Sequence, residues 1–263
     1  MSNTVLILQN SPEVGGGVFE EILMEQGWTL EVLPLFSGSS LPPSLNDVDL
    51  TIVLGGSISV LQEKEFDFLV PEMTFLRQAL RRGHPILGIG FGAELMAKAL
   101  GAQVNRGPFK EIGWYWVNQT PLARSDPLFS HLDPYLLVFE WHRDAFDLPT
   151  EAIPLAGNRA YPNQAFRFDP FSYGLHFHLE VTESIIKTWL SVRAGEIQMG
   201  VPSALTPEDI LADARIYLDR LHTQARIFLL GYLKILEKMK KRSTPFLPKT
   251  PKPVHSKGSL PPH

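Results

Sequence analysis

The chain of 263 residues has the composition of an ordinary globular protein, with 44% hydrophobic and 20% charged residues and a formal net charge of −4. It contains no Cys, which excludes disulfide bonds, thiolate metal sites and a Cys nucleophile. There is no run of about 18 apolar residues and no signal-peptide pattern at the N-terminus, so we expect a cytoplasmic protein without a membrane partner.

Charge is distributed unevenly along the chain. From Lys234 onwards there are eight basic residues and one acidic residue, so the C-terminal segment is basic and the preceding part is acidic. Residues 243–263 also include six Pro and show no hydrophobic period, which predicts a disordered tail. No aromatic residues are interleaved with its basic ones, so nucleic acid is not expected as a partner.

Strands and helices are predicted to alternate over the first hundred residues. Short apolar runs predict buried strands at 4–9, 29–33, 50–54 and 85–89. Amphipathic segments predict helices at 18–26, 68–82 and 95–100. Elements that alternate at this spacing indicate βαβ units, and therefore an α/β fold with a mostly parallel sheet flanked by helices.

The pattern changes after Gln103 to short, aromatic-rich strands. These are predicted at 111–118, 136–141, 153–156 and 164–168. Pro, Asp and Asn separate them, as is typical of antiparallel hairpins added to a sheet. A central strand is predicted to return at 173–178, and Thr182 is placed to cap the helix that follows it.

A linker at 195–205 and a helix at 206–240 are predicted to follow a domain at 1–195. Thr206 provides an N-cap, and Pro207 occupies the first helical position. Apolar residues recur along this helix at alternating intervals of three and four. They are Leu211, Ala214, Leu218, Leu221, Ala225, Phe228, Tyr232 and Ile235. This stripe predicts a helical extension that packs on its own domain or forms a homodimer contact.

The stretch between the fourth strand and the third helix has the pattern of a sharp turn. Gly88-Ile-Gly-Phe-Gly92 leaves room only for a tight strand-to-helix connection. In a nucleophile elbow, such a turn holds one reactive side chain above the sheet edge, next to backbone N–H groups that can bind an oxyanion. The apex here is Gly90, which has no side chain, and the turn contains no Ser or Thr.

Two stretches resemble the signature motifs of the class I glutamine amidotransferases. Residues 85–104 resemble the family's elbow, in which a Cys attacks the glutamine amide, and residues 174–180, GLHFHLE, resemble the motif that supplies the His and Glu of the triad. The resemblance places Gly90 at the position of the Cys, and His178 and Glu180 at those of the His and Glu. Three further positions depart from the family pattern. They are Glu94 for Gln, His176 for Gln and Leu179 for Pro.

The resemblance extends to a GMP-synthase-like branch of the family through residues 111–114, 141–144 and 162–166. It implies a flavodoxin-like fold with antiparallel additions and a C-terminal helical extension. It also implies that the backbone N–H groups of Gly56 and Phe91 form the oxyanion hole. Neither N–H depends on a side chain, so this part of the site can outlast the loss of the nucleophile.

Two functions agree with these residues. Without its Cys, the chain is predicted to lack glutaminase activity and to bind a small molecule or a protein partner instead. Alternatively, His176, His178 and Glu180 alternate along an extended segment and face one side, close to Glu94, with Glu140 and His142 expected nearby. Two imidazoles and two carboxylates suit Zn or Mn, which would support metal-assisted hydrolysis in a repurposed pocket. No other cofactor is expected.

Overall fold

The computed structural model describes residues 3–197 and 206–243. Most of the predicted linker and all but the first residue of the predicted tail lie outside these ranges. No helix within them is both long and apolar enough to cross a membrane.

Within the described residues the strands form one nine-stranded sheet. They are β1 (Asn3–Gln9), β2 (Trp28–Pro34), β3 (Leu50–Val53), β4 (Ile86–Ile89), β5 (Val104–Gln119), β6 (Tyr135–Phe146), β7 (Ile153–Gly157), β8 (Ala165–Phe168) and β9 (Ser172–Leu175). Their order is β2-β1-β3-β4-β9-β8-β7-β5-β6. The first five are parallel neighbours, and the remaining pairs are antiparallel. The sheet thus has a parallel half and an antiparallel half, which confirms the predicted fold class.

Helices cover both faces of the sheet. They are α1 (Val18–Glu25), α2 (Leu69–Arg81), α3 (Phe91–Ala99), α4 (Glu183–Val192), α5 (Ala194–Ile197) and α6 (Pro207–Ser243). Side chains of β1 alternate between two buried clusters, because successive residues of a strand point to opposite faces. One cluster packs the sheet against α1, α4 and α6, and the other packs it against α2 and α3.

Helix α6 lies along α1 and α4 on its own domain. The predicted stripe faces the core, with Phe228 and Tyr232 fully buried, and Leu229 and Leu236 widen the buried face beyond a heptad seam. A Cβ at Gly231 would lie 3.1 Å from Leu128 Cδ2, so the glycine allows a close approach to the domain. The structure therefore shows α6 packed on its own domain, the first of the two predicted arrangements.

Several boundaries differ from the prediction. Helix α3 begins at Phe91 rather than 95, because Gly90 caps it directly after the turn. Strand β9 ends at Leu175 rather than 178, because the N–H of His178 donates to Phe139 O (2.8 Å) and draws the chain towards β6. The predicted linker begins with a short helix, α5, whose Ile197 belongs to the core.

Candidate functional site

The turn between β4 and α3 has the backbone of a nucleophile elbow. Gly90 adopts φ 56° and ψ −119°, in the left-handed half of conformational space that a side chain strains. Its N–H donates to Leu175 O at 2.8 Å, which ties the apex to the end of β9. A Cβ at this position would lie 2.7 Å from His178 Cε1 and 2.9 Å from His178 Nε2. The imidazole therefore occupies the space beside the apex.

His178 and Glu180 form the pair that the resemblance implies. His178 Nδ1 and Glu180 Oε1 are 2.6 Å apart, and both side chains are buried. Trp189 packs edge-on against the imidazole, with 4.9 Å between ring centroids. The carboxylate orients the ring so that Nε2 is the nitrogen near Gly90. This is the arrangement in which an imidazole serves as a general base, but the apex provides no group for it to deprotonate.

The backbone implied for the oxyanion hole borders a cavity of about 390 Å³. Gly56 and Phe91 both line it. Gly55, next to Gly56, lies close to the elbow, because a Cβ on Gly90 would be 3.8 Å from its Cα. The loop after β3 and the start of α3 thus meet beside the apex.

Charged side chains of both signs line the rest of this cavity. Arg106 Nη1 contacts Asp144 Oδ1 at 2.9 Å, and Lys110 Nζ lies 3.5 Å from Glu196 Oε2. The guanidinium of Arg193 pairs with Glu196 at 2.7 Å and stands over the ring of Trp141. The cavity therefore offers both cationic and anionic groups to a polar ligand.

Two of the residues that depart from the family pattern contact one another. His176 Nε2 and Glu94 Oε1 are 2.8 Å apart and buried. Burial, with the nearby charge of Asp144, raises the pKa of Glu94 to about 8. Burial and the neighbouring imidazoles of His142 and His178 lower the pKa of His176 well below its usual value. At neutral pH this contact is therefore a hydrogen bond between uncharged groups.

The four residues predicted to bind Zn or Mn form two pairs. His178 contacts Glu180, whereas His176 contacts Glu94. Within residues 3–197 and 206–243, one group of three or more potential ligands has its ligand atoms within 4.8 Å of one another, and it contains none of the four. The strand on which three of them were predicted to alternate ends at Leu175, before His176. Metal binding by these four residues stays a prediction.

The group that does converge consists of Glu111, Glu140 and His142. His142 Nε2 lies 3.3 Å from Glu111 Oε2 and 3.2 Å from Glu140 Oε2. Gln164 Nε2 donates to Glu111 Oε2 at 2.7 Å and to Glu140 Oε1 at 3.1 Å. Burial raises the pKa of Glu140. Burial also opposes the charged form of His142, but Glu140 and Glu111 outweigh it and raise the pKa of His142 to about 10.

Glu111, Glu140, His142 and Gln164 are called the polar cluster below. Glu140 and His142 were expected near the elbow pocket, but the convergence of the four residues was not predicted. One signal for them was present in the sequence. The three stretches that resemble the GMP-synthase-like branch each carry a member or a neighbour of the cluster. Glu111 lies in 111–114, and Gln164 lies in 162–166. His142 lies in 141–144, and Glu140 directly precedes that stretch. His142 also stacks on His176, with ring centroids 3.9 Å apart, so the cluster adjoins the elbow pocket.

Comparison with known proteins agrees with this geometry. The sequence profile described as glutamine amidotransferase class-I matches residues 19–190, about two thirds of the chain. The chain belongs to the class I glutamine amidotransferase family. The family predicted from the elbow and the His-Glu motif is thereby confirmed.

This amidotransferase homologue is similar to both sequenced and solved members. It is 31% identical over 175 residues to the glutamine amidotransferase-like protein YfeJ of Salmonella typhimurium. The aligned region covers 65% of this chain and 73% of YfeJ. It is 34% identical over 102 residues to one subunit of the glutamine-hydrolyzing GMP synthase of Pyrococcus abyssi, over 38% of this chain and 53% of that one. The crystal structure of a glutamine amidotransferase from Thermotoga maritima superposes with a TM-score of 0.79 at 30% identity, and covers 90% of this chain and 98% of that chain.

Proposed function

We propose that this protein binds a ligand in the amidotransferase pocket and does not hydrolyse glutamine through a covalent intermediate. The observation that carries the proposal is the elbow itself. Its apex is Gly90, the imidazole of His178 fills the adjacent space, and the chain contains no Cys that could act in its place. In triad hydrolases, removal of the nucleophile alone costs on the order of a million-fold in rate.

The ligand that best fits the cavity is a small polar molecule that carries both charges. Acidic and basic side chains both line a space of about 390 Å³, next to the backbone of Gly56 and Phe91. L-Glutamine is such a molecule, and the names of the relatives make it the first to test. Alternatively, the ligand of this pocket is a protein partner, since one relative is named as a subunit of GMP synthase.

A glutaminase assay and a binding assay test the proposal together. The purified full chain should release no ammonia from L-glutamine above the rate of a Gly90→Ala control. Calorimetry should show binding of L-glutamine, or of another zwitterion, that Arg106→Ala weakens. Turnover at the rate of an ordinary amidotransferase would refute the proposal. Absence of both turnover and small-molecule binding would restrict it to the protein-partner form.

The second candidate is hydrolysis by a repurposed pocket. The bond of 2.6 Å between His178 and Glu180 favours it, because this pair could still activate a water molecule. The metal-assisted form would add Zn or Mn held by these two residues with His176 and Glu94. A panel of ester and amide substrates tests this candidate. It requires an activity that His178→Ala abolishes, whereas the binding proposal expects none on any substrate.

A further inference from the structure

The polar cluster is assembled by strand register in the antiparallel half of the sheet. Glu111 of β5 lies directly opposite His142 of β6. Glu140 is two residues before His142 on the same strand, so its side chain points to the same face. Gln164, immediately before β8, reaches the same place with its side-chain amide. Three separate segments therefore fix four polar side chains around one point.

The spacing of these side chains matches that of ligands around a small divalent cation. Zn²⁺ binds imidazole nitrogen and carboxylate oxygen at about 2.0–2.1 Å, so atoms at the corners of its tetrahedron are roughly 3.3 Å apart. The two distances from His142 Nε2 to the carboxylate oxygens are 3.3 and 3.2 Å. Asn158 Nδ2 donates to the other oxygen of Glu111 at 2.8 Å and holds that carboxylate in place, as outer-shell partners of metal sites do.

The hydrogen bonding of the cluster is incomplete. Among the described residues Gln164 Oε1 accepts no hydrogen bond, and Glu140 Oε2 has only the ion pair with His142 Nε2 at 3.2 Å, although both side chains are fully buried. Buried carboxylates are costly unless they are paired or coordinate a metal. Rotation of the Gln164 amide by half a turn would exchange its two terminal atoms, and Oε1 would then face Glu111 and Glu140. Gln164 would in this way supply a fourth ligand, its amide oxygen.

We propose that Glu111, Glu140, His142 and Gln164 bind one Zn²⁺ ion. Two carboxylates balance its charge, and the imidazole and the amide oxygen complete a tetrahedral set of one nitrogen and three oxygens. The ion can enter from the elbow cavity, because His142 lines its wall. This site is distinct from the one predicted from the sequence, and it does not depend on whether the elbow binds glutamine.

The test uses the full chain, stripped with a chelator and dialysed against Zn²⁺. Elemental analysis should find one equivalent of Zn²⁺ in the wild type, together with a rise in melting temperature. The variant Glu140→Gln should retain less than a tenth of an equivalent and show no thermal shift. The matched control is Glu94→Gln, which removes a buried carboxylate of the same pocket outside the proposed set. It should bind Zn²⁺ like the wild type.

Three results would overturn the proposal. They are a wild type that takes up no Zn²⁺, a Glu140→Gln variant that binds as the wild type does, and a Glu94→Gln variant that loses the ion. X-ray absorption of the zinc-loaded wild type gives a second reading, which needs no variant to fold. It should show one imidazole among otherwise oxygen ligands. Two imidazoles would contradict the proposal and would point to His176 and His178 instead. Glutaminase activity leaves this test unaffected.

Discussion

The two halves of the sheet carry different groups of polar side chains. The parallel half retains the elbow, with the left-handed backbone at Gly90 and the His178–Glu180 pair, but lacks a reactive side chain at the apex. The antiparallel half carries the polar cluster, in which ligand atoms of two carboxylates and one imidazole lie within 4.8 Å of one another.

The difference shows that the shape of an elbow and its chemistry are maintained by separate interactions. A Cβ at Gly92 would lie 2.1 Å from Val53 O, and one at Gly88 would lie 2.6 Å from Gly92 O. Close packing of β3, β4 and α3 therefore requires glycine on both sides of the apex, whether or not the apex carries a nucleophile. Reactivity depends on a single side chain, which can be lost without any cost to this packing.

The largest effect is expected where the missing nucleophile is restored. Gly90→Cys should remain on the order of a million-fold less active than a complete triad, because a Cβ would lie 2.7 Å from His178 Cε1 and displace the imidazole. Both Gly90→Cys and its control Gly90→Ala should lose about 1–3 kcal/mol of unfolding free energy in urea titrations. An active Gly90→Cys enzyme would show that the parallel half retains its chemistry as well as its shape.

A large loss of stability is expected from Phe228→Ala in α6. The ring is fully buried and contacts Phe19 of α1, Phe129 and Tyr173 of β9. Its removal should lower the free energy of unfolding by about 3–5 kcal/mol. The control, Ile216→Ala, changes a side chain that is 67% exposed and should shift it by less than about 0.5 kcal/mol. Similar losses in the two variants would mean that α6 does not support the sheet.

A pH-dependent effect, present only over part of the pH range, is expected where the two halves meet. Glu94 bonds to His176, which stacks on His142. The pKa of Glu94 is raised from an ordinary 4.5 to about 8. The folded state thus holds this proton more tightly than the unfolded chain does. Its contribution to stability is complete below about pH 4.5 and is lost as the pH rises towards 8.

Urea titrations of the wild type and of Glu94→Gln between pH 4.5 and 8 isolate the contribution of Glu94 to the free energy of unfolding. The unfolding free energy of the wild type relative to the variant should fall by up to about 1.4 kcal/mol per pH unit. Parallel curves for the two proteins would mean that folding does not raise the pKa of Glu94, and would contradict the uncharged contact between the two halves.

The smallest effect is expected from the C-terminal segment. Deletion of residues 244–263 removes a stretch rich in Pro and Lys that has little apolar surface to bury. The melting temperature should stay unchanged in differential scanning calorimetry. A clear decrease would indicate that Phe246 or Leu247 docks on one half of the sheet.

The sequence by itself determined the alternation of strands and helices, the position of the elbow and the absence of its nucleophile. These features are local. Apolar periodicity, glycine spacing and capping residues such as Thr182 act within a few positions along the chain, so a linear reading detects them. The prediction of one shared face for His176, His178 and Glu180 was also local, and it depended on a strand that continued to His178.

Only the tertiary structure decided which polar side chains meet. The strand ends at Leu175 because a hydrogen bond from His178 to Phe139 of β6 replaces the pairing with β8, and the ligands predicted from the sequence separate into two pairs. Glu111 and Gln164 are 53 positions apart in the chain, and the sheet brings Gln164 Nε2 within 2.7 Å of Glu111 Oε2. Such contacts depend on strand order and register, which long-range packing sets and which no single segment of the sequence encodes.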